Sequence, residues 1–210
     1  MRLVIAGGHG AIALHVTRLL AARGDAITSL VRNPDHFADV SAAGGVPVHC
    51  DLETTDAPAV AEYLTGADAA LFAAGAGPGS GAARKDTVDR AAAVLFADAA
   101  TEAGVSRFLQ ISATGLDRET GDEVFDAYLR AKAAAEDDLR RRALAWTVLR
   151  PGRLTDDPPT GRVQLAETPL RGSVPRADVA AVLVALLDHP STAHHTYDLI
   201  AGDVPITDLF

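Results

Sequence analysis

The chain is poor in several residue types, and each shortage limits what it can be. Among 210 residues there is one cysteine, Cys50, and of 19 basic residues only Lys85 and Lys132 are lysines. A lone cysteine closes no internal disulfide, which suits a reducing cytosol. No apolar run approaches the ~18 residues a membrane span needs, and the first apolar stretch starts at Leu3, leaving no room for a secretion signal. Positive charge is also short: 28 acidic against 19 basic residues give a net charge of −9. Such a field repels nucleic-acid phosphates and anionic lipid, so neither is an expected partner. A cytoplasmic protein with a small-molecule partner is expected, as monomer or homodimer.

Against these shortages stands an apolar content of 48% whose period keeps switching. Short β-rich runs lie at 2–6, 26–31, 46–50, 68–74, 107–112 and 146–150. Helical patterns lie between them, near 11–23, 35–43, 57–64, 82–103 and 123–143. Strands and helices alternating in this way predict an α/β fold: a doubly wound parallel sheet of Rossmann type with helices on both faces. After a linker-like "TDDPPTG" (155–161) come short segments and an apolar helix over 176–189. Some 50 residues are too few for a separate core. The expectation is one domain over 1–210, its tail packed on the sheet and 151–210 supplying a substrate-side subregion.

The sharpest local signal is "AGGHGAIALHV" (6–16), directly after the first strand and opening the first helix. Read as Gly7-x-x-Gly10-x-x-Ala13, it gives a tight turn at Gly7, close approach of a pyrophosphate at Gly10 and close helix–strand packing at Ala13. The free N–H groups of Ala11 and Ile12 and the helix dipole favour a bound phosphate. His9 either touches that phosphate or faces solvent. About 20 residues on, where an NAD binder carries an acid, stand Arg32 and Asn33. A guanidinium matches a 2′-phosphate, so NADP(H) is the expected cofactor, with NAD(H) as the other candidate. The competing reading of Arg32 is a solvated strand-end arginine.

Further stretches carry a resemblance over nearly the whole chain: "CDLE" (50–53), "AAGAG" (73–77), "ISATG" (111–115), "YLRAK" (128–132), "LRPGRLT" (149–155) and "VPRADVAAVLVALL" (174–187). With G-x-x-G-x-x-A they resemble the short-chain dehydrogenase/reductase superfamily, in its atypical, NmrA-like and epimerase/dehydratase-like branches. The resemblance implies that Asp51 and Leu52 lie against the adenine, and that Ala73, Ala74 and Gly75 pass beneath the ribose and pyrophosphate. It implies too that Pro151, Gly152 and Arg153 belong to a segment that runs beside the nicotinamide, with Arg153 facing either the substrate cleft or solvent. At 210 residues the chain lacks the larger substrate domain of sugar-nucleotide epimerases, which makes that activity the least expected.

The superfamily's reductases use a Ser, a Tyr and a Lys, here Ser112, Tyr128 and Lys132. Tyr128 and Lys132 stand at i and i+4, on one face of the expected helix. The implied roles are oxygen stabilisation by Ser112, proton donation by Tyr128, and ribose binding by Lys132 with a lowering of the phenol's pKa. Where the pattern has an asparagine the chain offers Asp89, which when ionised cannot donate a hydrogen bond. Lys85 and Asp86 are expected to cap or flank that helix, unless Lys85 reaches substrate. Arg162 and Arg176 are expected at the surface, and no metal-ligand set is expected. The expected activity is NADPH-dependent reduction of a small carbonyl, quinone or flavin-like acceptor. A non-catalytic NADP(H) sensor is the alternative.

Overall fold

The computed structural model describes residues 1–77 and 79–210. A sheet is built first from β1 (Arg2–Ala6), β2 (Ala26–Val31), β3 (Val46–His49), β4 (Ala69–Phe72), β5 (Arg107–Ile111) and β6 (Ala145–Pro151). The remaining strands are β7 (Arg153–Thr155), β8 (Arg162–Ala166), β9 (Ser173–Pro175), β10 (His195–Ala201) and β11 (Val204–Pro205). The strand order is β11-β8-β10-β6-β5-β4-β1-β2-β3, parallel from β10 to β3, with β8 and β11 added antiparallel; β7 and β9 pair separately.

The period-2 side-chain alternation of each strand feeds two cores. Leu3 and Ile5 of β1, with Ala69 and Leu71 of β4, pack beneath α1 (Ala11–Arg23) and α7 (Arg176–Asp188). Val4, Ala6, Ala70 and Phe72 point the other way, against α3 (Ala57–Leu64), α5 (Ala92–Glu102) and α6 (Glu123–Arg140). A strand buried on both faces reads as one continuous apolar run, as "LVIA" does. The short α2 (Phe37–Ala42) follows a 3-10 turn at Pro34–His36.

Two features depart from the sequence expectation. The helix expected over 82–103 is α4 (Ala82–Arg84), a π-helical stretch Lys85–Ala91 and then α5. The chain from 195 to 201, with no strand expected, supplies β10, which pairs with β6 from His195↔Thr147 to Leu199↔Pro151. The tail is held on the sheet partly by the buried Arg107, which donates to the Ala145 and Leu186 carbonyls and to the Thr147 and Thr192 hydroxyls. Burial pushes this guanidinium's pKa down to about 10. Among the described residues no helix is long and apolar enough to cross a membrane.

Candidate functional site

All the glycine-loop features converge at the carboxyl ends of the parallel strands, where open α/β sheets bind ligands. Gly7 has a φ of +77°, and a Cβ there would lie 2.6 Å from the Ala74 backbone. Gly8, which the G-x-x-G reading left as filler, is the tighter contact: its Cβ would sit 2.3 Å from Ser29 Cβ. Gly10 differs from both. Its φ of −55° suits any residue, and a Cβ would meet only backbone carbonyls, that of Gly7 at 3.3 Å and that of Ala73 at 3.8 Å. The fold therefore accounts for Gly7 and Gly8 but not for Gly10, whose bare face fits a ligand's close approach. Gly10 is the N-cap of α1, no side chain of the described residues caps it, and the first-turn N–H groups are left for an anion. Ala13 is fully buried, as its packing role requires.

Two clefts open here, sharing the walls Ala73, Ala74, Gly75 and Ala76. The narrower, about 290 Å³, is lined by Gly7, His9, Gly10, Arg32, Asn33, Asp51 and Leu52, among others. Most of the expected adenosine-side residues thus come together, though Ala11 lines neither cleft. His9 bonds Asp39 at 2.9 Å and stacks on His36 with ring centroids 3.6 Å apart. Asn33 has its side chain engaged in accepting the Asp35 N–H, as cap of the 3-10 turn. Leu52 lines the cleft and also packs against the core. Arg32 is not a free cation: it pairs with Glu53 at 3.2 Å. Glu53 also accepts from Arg84 and Thr87, and these contacts hold its carboxyl below the usual range, Arg84 most strongly. Neither Glu53 nor Arg84 was legible as a site residue, since α3 and β4 separate the two along the chain.

The wider cleft, about 1160 Å³, takes Ile12, Lys85, Asp89, Ser112, Tyr128, Lys132 and the Pro151-Gly152-Arg153 segment. Asp122 caps α6 by accepting the Val124 and Phe125 N–H groups, and the helix then turns Tyr128 and Lys132 to one face. Ser112, at the end of β5, is 4% exposed and its hydroxyl has no partner among the described residues. An orphaned buried hydroxyl at a cleft wall fits an oxygen supplied by a ligand.

One expectation is corrected here. Lys132 does not leave its charge free to act on the phenol: its Nζ lies 3.1 Å from Asp89 Oδ1 and donates to the Ile111 carbonyl at 3.3 Å. Tyr128 accordingly shows no lowering; burial, then the Asp89 charge, pushes its pKa up to about 12. Asp89 holds Lys132 and accepts the Ala76 N–H at 3.2 Å, fixing the wall between the clefts. Lys85 is not a cap. It is buried in the π-helical stretch, donates to the Gly77 carbonyl at 2.9 Å, and stands 5.5 Å from the Tyr128 ring centroid. Asp86 faces outward and pairs with Arg90. Both lysines of the chain therefore flank one tyrosine, the Lys132 Nζ standing 5.9 Å from the same centroid. The scarcity of lysine in the sequence is a signal that points to Lys85 as much as to Lys132. Arg176 pairs with Asp156 and lines the cleft, while Arg162 lies exposed on β8.

Residues 7–190 match the NAD(P)H-binding family model, and the chain belongs to that family, within the atypical short-chain dehydrogenase/reductases. It is 34% identical to a Bacillus subtilis protein named an uncharacterized sugar epimerase, over 99% of this chain and 98% of the other. A solved Bacillus halodurans structure, named for NAD-dependent epimerase/dehydratases, is 30% identical with a TM-score of 0.92, covering 100% of this chain and 98% of that one. An anaerobillin reductase from Escherichia coli O157:H7 shares the fold, with a TM-score of 0.80 at 24% identity over 97% and 98% of the two chains.

Proposed function

We propose that this member of the NAD(P)H-binding family is an NADPH-dependent oxidoreductase of a small carbonyl, quinone or flavin-like acceptor. The observation that carries the reading is the convergence of an unpartnered Ser112 hydroxyl, a protonated phenol and a buried lysine on the cleft continuous with the glycine loop. NADPH supplies a hydride when bound. Ser112 donates to the acceptor oxygen as it gains charge. Tyr128 delivers the proton: with its pKa near 12 the phenol stays protonated at neutral pH and, for a carbonyl acceptor, is still a stronger acid than the alcohol formed. Lys132 has three N–H donors; the Ile111 carbonyl accepts one, Asp89 answers its charge as an ion pair at 3.1 Å, and a donor is left for a ribose hydroxyl.

The preference for NADPH rests on Arg32 and Arg84, two guanidiniums gathered around one carboxylate in the narrower cleft. A 2′-phosphate exchanging with Glu53 gains both. The same reading takes 1–210 as one domain with a substrate-side wall drawn from 151–210, a small-molecule partner and a cytoplasmic place, supported by the lone cysteine and the net charge of −9. The relatives named for epimerases leave sugar-nucleotide chemistry as a lesser alternative.

One observation favours a second reading, a non-catalytic sensor of the cofactor's redox state: Asp89 neutralises the lysine that would assist the phenol. The deciding experiment is NADPH oxidation against a panel of quinones, flavins and small aldehydes, wild type beside Tyr128→Phe. Turnover that depends on Tyr128 supports the reductase. Tight NADPH binding with no turnover on any acceptor supports the sensor.

A further inference from the structure

We propose that the acceptor is an anion, seated by Arg153 and Arg171 on a wall of the wider cleft that the two lysines also line; this rests on the reductase reading. Two short segments build that wall, Pro151-Gly152-Arg153 and Leu170-Arg171-Gly172. The Arg153 N–H donates to the Gly172 carbonyl at 2.9 Å, and the Gly152 N–H donates to Leu199 at 2.8 Å. A Cβ on Gly152 would stand 2.4 Å from the Gly172 carbonyl oxygen, and one on Gly172 would stand 3.2 Å from Ile200. Glycine at both positions lets the two backbones close on each other and on β10. Their sequence neighbours, Arg153 and Arg171, are thereby carried to one edge of the cleft.

The second segment is pinned rather than loose. The Leu170 N–H donates to Asp198 Oδ2 at 3.0 Å, and Asp198 is itself buried beside Arg150. On this fixed backbone the two arginine side chains are exposed, and neither has a hydrogen bond or ion pair to a side chain among the described residues. The other arginines of the cleft are engaged: Arg176 pairs with Asp156, and Arg118 donates to the Gly115 and Thr114 carbonyls. An anion arriving at Arg153 and Arg171 displaces no internal partner, so the whole charge-assisted contact is available for binding.

The electrostatics of the cleft agree. Six basic side chains line it against three carboxylates, Asp89, Asp117 and Asp122, in a chain whose net charge is −9. A cleft with an excess of basic groups in a molecule of net negative charge draws anions to that place rather than to the surface at large. Neither arginine lines the narrower cleft that holds Arg32 and Arg84, so their charge is separate from the one assigned to the 2′-phosphate.

The probes are anthraquinone-2-carboxylate and its methyl ester, equal in ring system and different in charge. Calorimetric titration of the NADP⁺-loaded protein is expected to show the acid binding at least about 10-fold tighter than the ester, the scale of one charge-assisted contact. In Arg153→Gln/Arg171→Gln the two ligands are expected to bind alike. Equal affinities in the wild type, failure of both to bind, or a gap that survives in the double variant overturns the proposal. So does a double variant whose NADP⁺ affinity falls as far as its affinity for the acid, because the arginines would then serve the cofactor. NADPH oxidation is followed with the same two probes. Its absence with these probes and with the whole acceptor panel rejects the reductase reading alone, since the acid–ester gap in binding judges the anion site without turnover.

Discussion

The two clefts share a wall but treat their charges in opposite ways. In the narrower one Arg32 is 55% exposed and Arg84 39%, gathered around a Glu53 that is 23% exposed. In the wider one the ion pair is sealed, with Lys132 at 5% and Asp89 at 1%. Exposed pairs exchange partners at little cost because water screens them, whereas a buried pair that loses one member leaves an uncompensated charge in low dielectric. The adenosine side is thus built to trade a carboxylate for a phosphate. The reaction side is built to stay as it is.

The largest expected effect lies on the rigid side. Tyr128→Phe removes the proton donor while keeping the ring beside the two lysines, and turnover is expected to fall on the order of 10²–10⁴-fold with NADPH affinity nearly unchanged. Because the phenol's pKa is raised to about 12, its acid form persists through neutral pH. Turnover should therefore show no alkaline loss from this group until roughly pH 11. A turnover that ignores the substitution would make the tyrosine a packing residue and point to direct hydride transfer.

Next is the pair itself. Lys132→Ala strands Asp89 inside the protein and should lower stability by about 3–5 kcal/mol, read by urea denaturation. Asp89→Asn in the same chain removes the stranded charge and should restore most of the loss. A single variant as stable as wild type would show that the pair is wetter than its burial indicates.

On the exchangeable side the effects are smaller. Arg32→Ala and Arg84→Ala are each expected to weaken NADPH by about 1.5–3 kcal/mol, roughly 10–100-fold, and to leave NADH nearly unaffected. Calorimetry with both cofactors checks this, and wild type binding NADH as tightly as NADPH would end the argument for a 2′-phosphate site. The smallest change is Glu53→Gln, which frees both guanidiniums from a screened pair worth at most about 1 kcal/mol. NADPH affinity should rise by no more than about 5-fold, and a fall would mean that Glu53 positions the arginines instead of competing for them.

The contrast between clefts also marks what could be read ahead of the structure. β1 through β6 and the helices between them were legible because strand and helix periods are local properties of the chain. β10 was not, because "HTYDLIA" is only half apolar and becomes a strand by adding to the β6 edge. In the glycine loop the turn at Gly7 was legible from position, while the role of Gly8 depends on Ser29, a residue of another strand. Tyr128 and Lys132 announced themselves by i, i+4 spacing, yet the phenol's environment was misjudged, since the lysine's charge is answered by Asp89 from a π-helical turn.

By itself, then, the sequence determined the α/β order, the glycine loop at the head of α1 and the shared face of Tyr128 and Lys132, all set by spacings within a few residues. The tertiary structure alone decided which charges meet. Glu53 finds Arg32 and Arg84 from 21 and 31 residues away, Asp89 finds Lys132 across two elements, and Gly152 and Gly172 bring two arginines to one wall. Coulomb energy depends on distance and dielectric, and both are created only when the strands and helices pack.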